Sequence, residues 1–287
     1  MNPVNQSQKG RKHRPGLSLH GGTIMRTNVV TAARVAHAAG FDGIELLITK
    51  VARYLDTGFS TDDLIHALGP LRVTMLDALL PIETRERTAR QQLIDDCARM
   101  SRVAADLNCP TLQVVALDNF SSDEWQDQRR VLIDCLTELA DVATPHGVRL
   151  AIEPVTFSPF HALDQALEVI QAVGLDRVGL CLDTWHLWTS GTPWEEVANL
   201  DKRLILAVQI GDTQARTGLQ WRDDDRTALP GEGVLPLREA VEAIAATGYD
   251  GMWTVEMLSK KHWEWDPDVL ALAVLERTKL LFDLHNP

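Results

Sequence analysis

Eight short apolar runs recur along the chain, at residues 17–20, 43–48, 72–80, 111–117, 149–155, 178–182, 204–210 and 251–257. Val, Ile and Leu dominate them, and each has about the length of a strand buried on both faces. Between them lie segments with helical period, at 27–39, 83–107, 122–144, 161–173, 235–247 and 266–284. The segments after the second and sixth runs are shorter. Gly40, Gly174 and Gly248 follow three of the helical segments as C-caps. Strand then helix, repeated eight times, predicts an α/β fold: a single (β/α)8 TIM barrel of parallel strands. An open doubly wound sheet is the rival. It calls for a glycine-rich phosphate loop after an early strand, and neither GxGxxG nor GxxxxGKS/T occurs.

The 287 residues suit one such barrel, and no linker or change of composition divides them. Residues 16–287 are expected to form the barrel. Residues 1–15, with Lys9, Arg11, Lys12 and Arg14, are expected to form a mobile tail. The formal net charge of −12 argues against nucleic acid as a partner. No apolar run approaches the ~18 residues of a membrane helix, and the first residues lack a secretory h-region. The four cysteines, Cys97, Cys109, Cys135 and Cys181, are scattered without a CxxC pair. That spacing fits a reducing cytoplasm and argues against a disulfide framework or a structural zinc site.

In barrels of this kind the chemistry sits at the C-terminal ends of the strands. The fifth run ends Ala151-Ile152-Glu153-Pro154 and the sixth Cys181-Leu182-Asp183-Thr184-Trp185-His186. The seventh ends Val208-Gln209-Ile210-Gly211-Asp212 and the eighth Thr254-Val255-Glu256-Met257. Four consecutive strands thus place an oxygen-bearing side chain at similar depth. Strand alternation puts the small residues Ala151, Cys181 and Ala207, with Thr254, on the same face beneath them. Packed carboxylates repel unless positive charge sits among them, and no Lys or Arg lies in these strand ends. A divalent cation is the simplest answer, and oxygen ligands suit a hard ion such as Mn²⁺ or Mg²⁺.

Other candidates surround this set. His186 is open to three roles: outer metal ligand, substrate hydrogen-bond partner or loop histidine, with the substrate role favoured. His20, Glu45 and, more weakly, Asp77 belong to the first three runs and are candidates for the same mouth. Arg216 and Arg226 lie in a polar loop with Trp221. Each is a candidate for a ligand carboxylate or phosphate, or for a local pair with Asp223, Asp224 or Asp225. Leu229-Pro230-Gly231-Glu232-Gly233 reads as a turn rather than a phosphate cradle. Trp185, Trp188, Trp263 and Trp265 are candidates to wall a sugar-sized pocket or to pack loops onto the barrel.

Together these pieces resemble the sugar phosphate isomerase/epimerase superfamily of xylose isomerase-like TIM barrels. The resemblance runs from about residue 16 to the end. It also rests on Phe41-Asp42-Gly43-Ile44-Glu45 and on Tyr249-Asp250-Gly251 leading to Val255-Glu256. It implies one divalent metal ion (Mn, Mg, Co or Zn) held by Glu153, Asp183, Gln209 and Glu256. It implies Glu153 and Glu256 as the acid/base pair, and His186 and Arg216 as substrate contacts. Family members are often dimers or tetramers, so a homodimer or homotetramer is implied as well. Two departures stand out from the ketose 3-epimerases: Gln209 where they carry His, and Phe157-Ser158-Pro159 where they carry another Glu. Gln at the seventh strand resembles hydroxypyruvate isomerase-type members and 3-dehydroshikimate dehydratases. The many histidines of endonuclease IV are missing.

The chemistry expected from this set is proton abstraction beside a carbonyl, with the metal stabilising an enediolate. The leading expectation is an isomerase or epimerase of a small sugar or keto acid. A dehydratase or lyase of a dehydroshikimate-like or inosose-like ring is the alternative, and a non-catalytic sugar-binding barrel is the second.

Overall fold

The computed structural model describes residues 14–283, apart from residues 121, 123, 217 and 219. Eight strands pair in parallel, in chain order: β1 (Leu17–His20), β2 (Gly43–Leu47), β3 (Arg72–Leu79), β4 (Thr111–Val115), β5 (Arg149–Glu153), β6 (Val178–Asp183), β7 (Ile205–Ile210) and β8 (Trp253–Val255). Ser18 pairs with Thr254, so β1 and β8 close the barrel. The expected TIM barrel is the observed fold.

Several apolar runs overshoot their strands at the C-terminal end. Val155 shows why: its N–H donates to Phe160 O within its own loop rather than to a neighbouring strand. Ile48, Ala116, Val155 and Met257 lie past their strands yet are buried, while Leu80 is exposed, and hydropathy alone distinguishes neither from a strand residue.

The helices are α1 (Val29–Ala39), α2 (Ile48–Asp56), α3 (Thr61–Leu68), α4 (Arg87–Asp106), α5 (Trp125–Ala143), α6 (Leu163–Val173), α7 (Thr184–Thr189), α8 (Trp194–Ala198), α9 (Leu237–Ala246) and α10 (Pro267–Leu281). Two short helices thus fill each of the gaps after β2 and β6. Asn28 caps α1 by accepting the Thr31 N–H at 2.8 Å, and Gly40 ends it at φ 95°. The α4 segment starts later than residue 83, because the Glu86 carboxylate accepts the Thr88 and Ala89 N–H groups and sets the first turn there.

Alternation along the strands sorts the apolar residues into two cores. Leu19, Ile44, Leu112, Ile152, Leu182, Val208 and Val255 join the large core shared with the helices. Met75, Ala151, Cys181 and Ala207 form a separate small cluster on the opposite strand face, which lines the barrel interior. Three of these are the small residues expected beneath the strand-end polar groups. All four cysteines are buried free thiols.

Residues 1–13 of the expected N-terminal tail lie outside the described residues; Arg14 donates to Asp42 Oδ2 at 3.4 Å. Among the described residues, no helix is long and apolar enough to cross a membrane.

Candidate active site

Because the strands are parallel and closed, the side chains two residues above the small inner layer converge at one mouth. Glu153 ends β5, Asp183 ends β6, Gln209 stands near the end of β7, and Glu256 immediately follows β8. Glu153, Asp183 and Glu256 each offer a carboxylate oxygen within 4.8 Å of the others. His20, Asp77 and Glu256 form a second such group on the adjoining side. Glu153, Asp183, Gln209, Glu256, His20, Glu45, His186 and Arg226 are each no more than 6% exposed, so their charges are poorly hydrated.

Each carboxylate has a distinct environment. Asp183 caps α7, its Oδ1 accepting the N–H groups of Trp185 at 2.6 Å and His186 at 3.0 Å. Its Oδ2 accepts from Arg226 Nη1 at 2.9 Å. Glu256 Oε2 lies 2.7 Å from the same Nη1. Glu153 Oε2 accepts from Gln113 Nε2 at 2.9 Å, and its Oε1 is buried with no hydrogen-bond partner. Burial, with Asp183 and Glu256 close by, raises the Glu153 carboxyl well above the usual range. Glu256 is pushed up to about 7, with burial outweighing Arg226 and His20.

The absence of a basic residue from the strand ends does not leave the acids without positive charge. Arg226 arrives from the loop after β7 and reaches two of them. Its Nη2 also pairs with Asp223, so the guanidinium is shared between the site and its own loop. Arg216 is placed differently. It pairs with Asp225, and its Cζ lies 5.2 Å from the Trp221 ring centroid. Among the described residues, no ion pair joins Arg216 to the strand-end acids.

His186 Nδ1 accepts the Thr156 N–H at 3.2 Å. Burial, then Arg226, lowers its pKa well below the usual imidazole value, so the ring is neutral. The proton therefore sits on Nε2, which lies 3.8 Å from Glu153 Oε1. His20 Nε2 lies 2.6 Å from Asp77 Oδ2, while its Nδ1 accepts the Gly22 N–H at 3.1 Å and lies 3.5 Å from Glu256 Oε1. The Gly22 N–H suits the neutral ring with Nε2–H toward Asp77, whereas burial is outweighed by Glu256 and Asp77, which raise the His20 pKa to about 9 and favour the ring protonated on both nitrogens, facing both acids. Gln209 Nε2 donates to Glu45 Oε2 at 3.2 Å, and its Oε1 accepts from Cys181 Sγ at 3.1 Å. Glu45 is fully buried with Oε1 unpartnered, and burial raises its pKa to about 8.

A carboxyl with a folded pKa of about 8 is protonated in the folded chain while its unfolded counterpart ionises near 4.5. Metal-free protein is therefore expected to lose a few kcal/mol of stability as pH rises from 5 to 8. Urea unfolding at pH 5, 6.5 and 8 measures this, and Glu45→Gln is expected to flatten the dependence. An unchanged slope in that variant would contradict the assignment to Glu45.

A family profile described as Xylose isomerase-like TIM barrel matches residues 33–277. The chain belongs to that family. One relative, the inosose isomerase of Halalkalibacterium halodurans, is 26% identical over 247 residues, covering 84% of this chain and 87% of the relative. The 3-dehydroshikimate dehydratase of Pseudomonas putida is 25% identical over 226 residues, covering 77% of this chain but 35% of the relative. Among solved structures, the IolI protein with a bound zinc atom superposes with a TM-score of 0.87 at 24% identity, covering 94% of this chain and 99% of that one. These relatives place the chain among enzymes of the sugar isomerase and epimerase type.

Within this xylose isomerase-like barrel, several surrounding residues carry structural duties. The Asp212 carboxylate accepts N–H groups from Thr213, Gly231, Gly233 and Leu235. A carboxylate thus already fills the Pro230–Gly233 turn, which is no cradle for a phosphate. The tryptophans all make loop contacts, and Trp263 and Trp265 also line a small cleft. Trp185 is fully buried against Trp221 and His186, and Trp188 leans on Trp221. Trp263 Nε1 donates to Gly22 O, and Trp265 meets His262 edge-on.

Sequence reasoning passed over Gln113 and Glu83. Gln113 is the polar residue inside an apolar run, which was the available signal for an inward-facing group. Glu83 fell inside a helical segment, but it lies in the loop after β3. There its Oε1 accepts the Leu117 and Asn119 N–H groups and staples two rim loops together.

Proposed function

We propose that this enzyme is a divalent-metal-dependent isomerase or epimerase of a small sugar-like ketone or keto acid, with inosose-like cyclic ketones as the first substrates to test. The observation that carries the reading is the buried trio Glu153, Asp183 and Glu256, with Glu153 Oε1 lacking any hydrogen-bond partner. A buried carboxylate oxygen without a donor beside two further carboxylates fits a cation ligand. Gln209 would complete the set through its amide oxygen, giving an all-oxygen donor set that favours a hard ion. The zinc in IolI and the inosose isomerase relatives are consistent with such a site.

A divalent ion bound there supplies Lewis-acid polarisation of a substrate carbonyl. The chain's own residues supply the rest. Glu153 and Glu256 project from strands on opposite sides of β6 and β7, so they are assigned to opposite faces of the carbon beside that carbonyl. One takes the proton and the other returns it. Their raised pKa values suit this exchange near neutral pH. The neutral His186 presents an Nε2–H to the substrate's oxygens. Arg226 has spare donor capacity beyond Asp183, Glu256 and Asp223. Arg216, His20 and Glu45 stay as secondary candidates for binding substrate or supporting these groups.

The relative named 3-dehydroshikimate dehydratase favours a second reading, in which abstraction at the same carbon is followed by loss of a β-hydroxyl. The test is incubation with scyllo-inosose in D₂O with Mn²⁺, followed by NMR and ultraviolet absorbance. Deuterium entering the carbon beside the carbonyl, without loss of water, is the expected result. A conjugated, ultraviolet-absorbing product would establish the dehydratase. Ligand binding without exchange across inososes, ketoses and dehydroshikimate would overturn both and leave a sugar-binding barrel.

A further inference from the structure

Arg226 is an unusual neighbour for a set of cation ligands. Its side chain is 4% exposed, and a single nitrogen, Nη1, bridges Asp183 Oδ2 at 2.9 Å and Glu256 Oε2 at 2.7 Å. The other end of the guanidinium is fixed in its own loop. Nη2 pairs with Asp223 Oδ1, and Nε donates to Asp223 O at 3.4 Å. Cζ lies 5.4 Å from the Trp185 ring centroid, so the group is also held from one side by an aromatic face. A permanent positive charge thus spans two of the three carboxylates that converge on one point.

We propose that Arg226 is a built-in counter-ion of this site: it holds Asp183 and Glu256 together before the ion arrives, and it lowers the affinity of the site for a divalent cation. This rests on the metal-site reading above. Two effects give the same sign. A guanidinium and a divalent ion held a few ångströms apart in a poorly hydrated mouth repel each other. The guanidinium also relieves the repulsion between carboxylates in the metal-free protein, so less is gained when the ion binds. A bound ion made exchangeable in this way can be gained and lost without unfolding the barrel mouth.

The test is titration of metal-free protein with Mn²⁺, read by the electron paramagnetic resonance signal of the free ion. Arg226→Gln is expected to bind at least tenfold more tightly than wild type, and Arg226→Lys, which keeps the charge, to stay within about threefold. Weaker binding by Arg226→Gln would overturn the proposal and make Arg226 a positioning residue only. If Arg226→Gln folds only when Mn²⁺ is present, the ion is replacing the missing charge, which supports the proposal. If it stays unfolded at saturating Mn²⁺ while Arg226→Lys folds and binds as wild type does, the side chain is a structural strut and the proposal fails. No Mn²⁺ uptake by wild type would instead remove the metal-site reading itself.

Discussion

Glu256→Gln is expected to lower the rate of proton exchange at the substrate carbon by about 10²–10⁴-fold, the usual contribution of a well-placed general acid or base. The substitution keeps the shape of the side chain and removes its ability to carry a proton. Glu256 stands at the mouth end of β8, with Oε2 2.7 Å from Arg226 Nη1 and Oε1 3.5 Å from His20 Nδ1. Both neighbours stay paired elsewhere when the charge is lost: Arg226 with Asp183 and Asp223, and His20 with Asp77. The barrel is therefore expected to remain folded, which circular dichroism checks, and because Glu256 is also a proposed ligand, exchange is compared at saturating Mn²⁺ with the bound ion measured, so that loss of the proton carrier is separated from loss of the ion. Exchange within threefold of wild type would exclude Glu256 from the chemistry. The same substitution at Glu153 tests the opposite face.

Asp212→Ala is expected to cost about 3 kcal/mol of stability, because it strips the acceptors from four backbone N–H groups at once, those of Thr213 and Leu235 in buried residues. Asp212 is 1% exposed. Its Oδ2 accepts from Gly231 at 3.0 Å and Gly233 at 2.9 Å, and its Oδ1 from Thr213 at 2.8 Å and Leu235 at 3.3 Å. A Cβ at position 233 would lie 2.1 Å from Asp212 Oδ1, so this close wrapping also demands glycine there. The carboxylate ties together both ends of the loop that carries Arg226. Its loss is expected to loosen Arg226 and to reduce turnover as well as the urea midpoint. Asp212→Asn keeps one carbonyl oxygen and is expected to lose less. A midpoint for Asp212→Ala equal to that of wild type would show that the loop is held by other contacts.

These residues also show where sequence is informative. The strands were legible because a closed parallel sheet is covered by helices outside and filled inside, so its strands read as near-continuous apolar runs. Their parity was legible too, since Ala151, Cys181 and Ala207 identify the inner face on which Glu153, Asp183 and Gln209 stand. The position of Arg226 was not. It meets Asp183 across 43 residues of chain through a loop whose closure depends on Asp212, and no local spacing encodes that contact. Helical composition at 83–107 hid Glu83, because propensity extends through a loop until a cap such as Glu86 sets the first turn. The tryptophans divide: Trp185 and Trp188 pack on Trp221, while Trp263 and the exposed Trp265 line a small cleft beside His262. An aromatic near a strand end serves either purpose until its burial is known.

Glu153, Asp183, Gln209 and Glu256 are proposed to hold one divalent ion. The most direct measurement is metal stoichiometry by inductively coupled plasma mass spectrometry, after metal-free protein is dialysed against Mn²⁺ and then against buffer. About one equivalent is expected in wild type, with strongly reduced occupancy in Glu153→Gln and Glu256→Gln. No retained ion in wild type, with none taken up from Mn²⁺, Mg²⁺, Co²⁺ or Zn²⁺, would contradict it.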